Sequence, residues 1–127
     1  MAKFNLTPEL KDAIEGLIET FGAHLAVYHE DIFRNHESLS DWSDEQIDEH
    51  INNSNKREGL KYKVNQKYIR IDKEQGSTVA FIDEQGNVMK PASFRSPVPG
   101  SRGNILSDNP YAAFNMNDSC ISVKTYR

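Results

Sequence analysis

Between Gln85 and Ser107 the chain carries no aspartate or glutamate, while Lys90, Arg95 and Arg102 punctuate the same stretch beside Ser93, Phe94, Ser96 and Ser101. That mixture suits a phosphate. Guanidinium groups donate paired hydrogen bonds to phosphate oxygens, and backbone flanked by Gly100 and Gly103 lets amides approach an anion. Phe94 or Phe81 then offers a ring for stacking on a base. The alternative is that the three cations are solvated loop charges and Phe94 a core plug. Catalysis has less to rest on. His24, His29, His36 and His50 do not pair at the i, i+3 or i, i+4 spacing that presents two metal ligands on one helix face. Nothing in the sequence supplies Cys120 with the base or electropositive pocket that a thiol nucleophile needs. No Walker loop, Gly-x-Ser-x-Gly or dinucleotide fingerprint occurs. The expectation is a binding protein that is not an enzyme, with no catalytic residue, cofactor or metal.

The elements that must position these residues divide the chain by charge. Residues 1–59 hold 5 basic and 13 acidic residues, net −8, whereas residues 60–127 hold 10 basic and 6 acidic, net +4. The 127 residues are enough for one domain, 1–127, with an acidic helical part before residue 60 and a basic part after it. No apolar run approaches the roughly 18 residues that cross a bilayer, and the first residues lack the apolar stretch of a signal peptide. A soluble, unsecreted protein is expected, and the single cysteine fits a reducing compartment.

Leu10, Ile14, Leu17, Phe21, Leu25, Tyr28 and Ile32 recur at helical spacing, which predicts a helix from about residue 8 to about residue 37. Such a long stripe packs either on a copy of itself, making a homo-oligomer, or across the chain's own sheet. Ser43 and Gln46 form a capping box for a second helix near 44–58, with Trp42 and Ile47 as a staple and Gly59 as its cap. From Leu60 the period changes to two, predicting strands at 60–64, 68–71, 78–82 and 87–90 joined by short turns. Residues 91–119 hold four of the five prolines and read as a loop-rich arm, after which 120–126 alternates again and is expected to add a last strand to the sheet. The fold class is therefore α+β, two N-terminal helices followed by an antiparallel β-meander and a loop-rich C-terminal arm.

Lys90-Pro91-Ala92-Ser93-Phe94-Arg95-Ser96-Pro97, then Arg102-Gly103-Asn104, after Val79-Ala80-Phe81-Ile82-Asp83, resembles a pattern of short bacteriophage proteins. In those the run is Lys-Pro-Ala-Ser-aromatic-Lys-Ala-Pro followed by Arg-Gly-Asn. Here Phe94 replaces the commoner Trp and Arg95 the commoner Lys. The overall plan is also similar to the phage anti-defence proteins that sequester cyclic ADP-ribose signals of the Thoeris immune system. That resemblance implies a homo-oligomeric, non-cleaving sponge in the cytoplasm of an infected bacterium, taking a cyclic ADP-ribose type or cyclic oligonucleotide signal. The ligand-binding residues it implies are Arg70, Phe81, Asn87, Lys90, Phe94, Arg95, Arg102 and Asn104.

Two other readings stand beside it. The thirteen carboxylates of the N-terminal half suit an acidic phage inhibitor that binds a host defence protein or nuclease as a nucleic-acid mimic. A weak nucleic-acid binder, with Tyr62, Tyr68, Phe81 and Phe94 as stacking rings, is disfavoured by the charge of the attached helices.

Overall fold

Thr7 starts the first helix: its side chain accepts a hydrogen bond from the Leu10 amide at 3.2 Å, and Pro8 occupies the first turn, where a missing N–H costs nothing. The resulting α1, Pro8–Arg34, runs unbroken through Gly16 and Gly22 for about 40 Å and ends at Asn35, whose amide donates to the Asp31 carbonyl. The structure, a computed structural model, describes residues 4–35, 41–93, 95–117 and 120–124. The helix thus stops short of the expected end near residue 37.

The capping box of Ser43 and Gln46 opens α2, Asp44–Glu58, with both reciprocal hydrogen bonds in place. Trp42 sets its ring edge-on to His50 at 5.4 Å. Gly59 does not adopt the left-handed cap conformation expected of it. With φ −64° and ψ 167° it is extended, because the chain passes from α2 directly into the sheet. Strands β1 (Leu60–Val64), β2 (Ile69–Lys73), β3 (Thr78–Ile82), β4 (Asn87–Met89) and β5 (Gly103–Asn104) form one antiparallel sheet in sequence order. The architecture is α+β with its helices N-terminal, as the periodicities predict.

The core lies between α1 and one face of this sheet. Leu10, Ile14, Leu17, Phe21 and Leu25 are fully buried with Ile69, Ile71, Ala80, Ile82 and Val88. Of the two placements open to the α1 stripe, the chain uses the one across its own sheet, so the stripe itself is not available to a second copy. His29 and Phe33 stack at 5.4 Å under α2, and His29 is 3% exposed. The imidazole Nδ1 lies 2.6 Å from Asn55 Oδ1, a hydrogen bond that joins the two helices. Arg34 adds ion pairs to Glu30 and Asp48.

The C-terminal part departs from the expected arm. Residues 90–98 close into a hairpin, the Val98 amide donating to the Lys90 carbonyl at 2.7 Å and the Ala92 amide to the Ser96 carbonyl at 3.0 Å. Farther on, β6 (Phe114–Asn117) pairs with β7 (Cys120–Val123) in a separate two-stranded sheet. The tail strand is present, but its partner is β6 and not the main sheet. Phe114, Ile121 and Val123 join the core, which is why this second hairpin docks.

An ion pair ties α2 to the sheet. Lys73, 7% exposed, donates from Nζ to Glu58 Oε2 at 2.7 Å. That hydrogen bond holds the Glu58 carboxyl below its usual value of 4.5. A carboxylate depressed on folding contributes stability that is complete above its unfolded pKa and is lost as pH falls through the folded one. Glu58→Gln is therefore expected to lower stability by about 2 kcal/mol at pH 7 and to converge with the wild type in acid. Urea midpoints of the two proteins across pH 2–7 check this; a constant gap at every pH would refute it.

Candidate functional site

Register decides which side chains share the face of the sheet turned away from α1. Lys63 stands opposite Arg70, Arg70 opposite Phe81 and Phe81 opposite Met89. Two residues along, Lys61 faces Asp72. Because side chains alternate across a strand, these residues occupy the outer face while Ile69, Ile71, Ala80 and Ile82 point into the core.

A depression of about 500 Å3 opens on that face. Its floor is Phe81, and Tyr68 meets that ring edge-on at 5.8 Å. Arg70 and Arg95 stand around it together with Lys67, whose ammonium lies 5.4 Å from the centre of the Tyr68 ring. The β1–β2 turn adds the Asn65 and Gln66 amides. Arg95 reaches this place through the 90–98 hairpin, where its backbone amide donates to Ser93 Oγ at 3.1 Å. Arg70 is positioned within its own strand, Nε donating to Asp72 Oδ2 at 2.9 Å. Guanidinium forks beside an aromatic ring can hold a phosphate and a base together.

The eight residues expected from sequence separate into groups. Arg70, Phe81 and Arg95 line the depression. Phe81, however, is 1% exposed, so its ring is the floor and the half-exposed Tyr68 is the aromatic surface offered to a ligand. Asn87 and Asn104 form a structural network instead. Asn104 Nδ2 donates to the Gln85 carbonyl at 2.9 Å and to Asn87 Oδ1 at 3.3 Å, while Asn87 donates from backbone and side chain to Asp83. Together they close the β3–β4 turn. Arg102 is half-buried and donates from Nη1 to the Gly100 carbonyl at 2.9 Å, away from the depression's lining. Lys90 starts the hairpin and Phe94 lies outside the described residues.

Lys67 joins the group without having been singled out in the sequence, and Tyr68, named there only as a stacking ring for a nucleic acid, joins Arg70 and Arg95; the signal for both is their place in the turn before the strand carrying Arg70. Gly103, part of the Arg-Gly-Asn run, has a steric role: a Cβ there would lie 2.9 Å from the Ala113 Cβ. Among the described residues no group of three or more His, Cys, Asp or Glu side chains could hold a metal ion, and no helix is long and apolar enough to cross a membrane.

Comparison with known proteins adds a family and no activity. Neither the curated proteins nor the solved structures contain a significant match to the chain. A family of unknown function, DUF7717, matches residues 1–120, and the chain belongs to that family.

Proposed function

We propose that the protein binds a phosphate-bearing nucleotide on the outer face of its sheet and holds it without cleaving it. The observation that supports this reading is the meeting of Arg70 and Arg95, 25 positions apart, around Tyr68 at one depression. The volume, about 500 Å3, lies within the range of small-molecule sites. Its lining offers cations, amides and rings, a set that orients and retains an anion. A role in sequestering a nucleotide immune signal during phage infection, the role implied by the similarity of the overall plan to phage anti-defence proteins, fits such a site. A second reading is supported by the exposed carboxylates Asp44, Glu45, Asp48 and Glu49 on α2, a surface suited to a basic host protein.

Thermal unfolding with and without AMP, ADP and cyclic dinucleotides separates these readings. Ligand at 100 times its Kd adds about 2.7 kcal/mol of stability, a rise of several degrees in Tm. Arg95→Ala is expected to weaken nucleotide binding roughly tenfold with Tm of the free protein unchanged, since Arg95 is exposed. No shift with any nucleotide would turn attention to the acidic helices.

A further inference from the structure

A second depression, about 460 Å3, adjoins the first on the outer face of the sheet. Lys61 and Lys63 on β1 line it with Asp72 and Gly76, and Arg70 lines both depressions. Neighbouring strands lie about 4.8 Å apart, so Lys63, Arg70 and Phe81, opposite one another in register, form a continuous row across β1, β2 and β3. Asp72 is 6% exposed; its Oδ2 accepts from Arg70, and its Oδ1 has no hydrogen-bond partner. Three cations against one carboxylate leave the second depression net positive.

Along the strand direction, acids bound the pair of depressions on both sides. Glu74 lies 4.0 Å from the Lys61 ammonium on one side. Beyond Lys67 and Tyr68 on the other is a third hollow, about 610 Å3, lined by Asp83 and Glu84. A long polyanion would have to cross one of these acidic borders, whereas a short one fits between them.

From this we infer that the ligand is a dinucleotide with two separated phosphates, one held at Arg70 and Arg95 and the other at Lys61 and Lys63. The inference rests on the nucleotide-binding reading above and specifies the ligand class of that site.

Isothermal titration of the intact protein with AMP, ADP, the 5′-phosphorylated linear dinucleotide pApA and a twenty-residue oligothymidylate tests it. The expected result is that pApA binds at least tenfold tighter than AMP or ADP. Lys63→Ala should then bring pApA to within about threefold of AMP while leaving AMP affinity as it was. Lys63 is exposed, and an unchanged Tm verifies that the variant is folded. Equal affinity for AMP and pApA, or an equal loss of both in Lys63→Ala, would overturn the two-phosphate site and leave nucleotide binding standing. Oligothymidylate binding tighter than pApA would overturn the acidic limits set on the two depressions. Failure of all four to bind would instead remove the nucleotide reading itself.

Discussion

Leu17→Asp is expected to abolish the folded state at 25 °C. Leu17 has no exposed surface and sits in the α1 stripe with Ile14 and Phe21 against Ile69, Ile71 and Ala80. Truncation to Ala would remove about 2–5 kcal/mol through lost burial and the cavity left behind. A carboxylate in the same place adds the cost of desolvating a charge with no partner, of order several kcal/mol. The total approaches or exceeds the roughly 5–15 kcal/mol by which domains are stable. Val27, on the same helix, is 73% exposed, and Val27→Asp should change stability by less than about 0.5 kcal/mol. Circular dichroism with light scattering distinguishes this result from its rival. If wild type is an oligomer and Leu17→Asp a folded monomer, the stripe belongs to an interface between copies and the core described above is wrong.

Gly86→Val should lower stability by about 3–4 kcal/mol. Gly86 ends the Asp83 turn at φ +86°, where a β-branched residue costs about 1–2 kcal/mol in backbone strain alone. A Cβ there would also stand 2.9 Å from both Asn104 Oδ1 and Leu106 Cγ. The Asn104 oxygen cannot retreat freely, because it accepts the Leu106 amide at 2.7 Å while Nδ2 holds the Gln85 carbonyl. Strain and lost hydrogen bonds therefore add. Gly76 supplies the control: its φ is +114° but no atom lies within 4 Å of an added Cβ. Gly76→Val should cost the conformational part only, about 1–2 kcal/mol. Equal urea midpoints for the two variants would show that the Asn104 contact carries no weight.

These contrasts indicate which parts of the molecule were legible in the residues themselves. The capping box of Ser43 and Gln46 and the alternation of Leu60 to Met89 are local signals, and they located α2 and the meander closely. Phe114 and Met116 alternating with Asn115 and Asn117 carried the same signal for β6, but four residues among prolines and turns are easily read as loop. The partner of the tail strand was not legible, since it depends on which hairpin buries Ile121 and Val123.

For the site, residue type pointed to cations and rings but not to which of them meet. Arg70 and Arg95 come together because strand register aligns one and a proline-flanked hairpin returns the other. Asn87 and Asn104, equally polar in sequence, satisfy each other in a turn. Arg102, one of three cations in the acid-free stretch, does not line the depression: its Nη1 donates to a backbone carbonyl and its Nε is buried without a hydrogen-bond partner. Local chemistry cannot tell a donor aimed at solvent from one already used, since the difference lies in long-range packing.

The order of the elements also has a consequence in time. The ribosome completes α1 before any strand that covers it, and at about 5–20 residues per second several seconds separate the synthesis of Arg34 from that of Met89. Through that interval the stripe from Leu10 to Leu25 has no sheet to lie on, and neighbouring nascent chains could join through it. Residues 1–59, which contain that stripe, carry a net charge of −8 with most of the carboxylates on α1 and α2 exposed, so emerging copies repel one another. Charge that contributes little to the finished fold thus protects its unfinished half, and neutralising Glu9, Asp12, Glu15 and Glu19 would lower soluble yield more than stability.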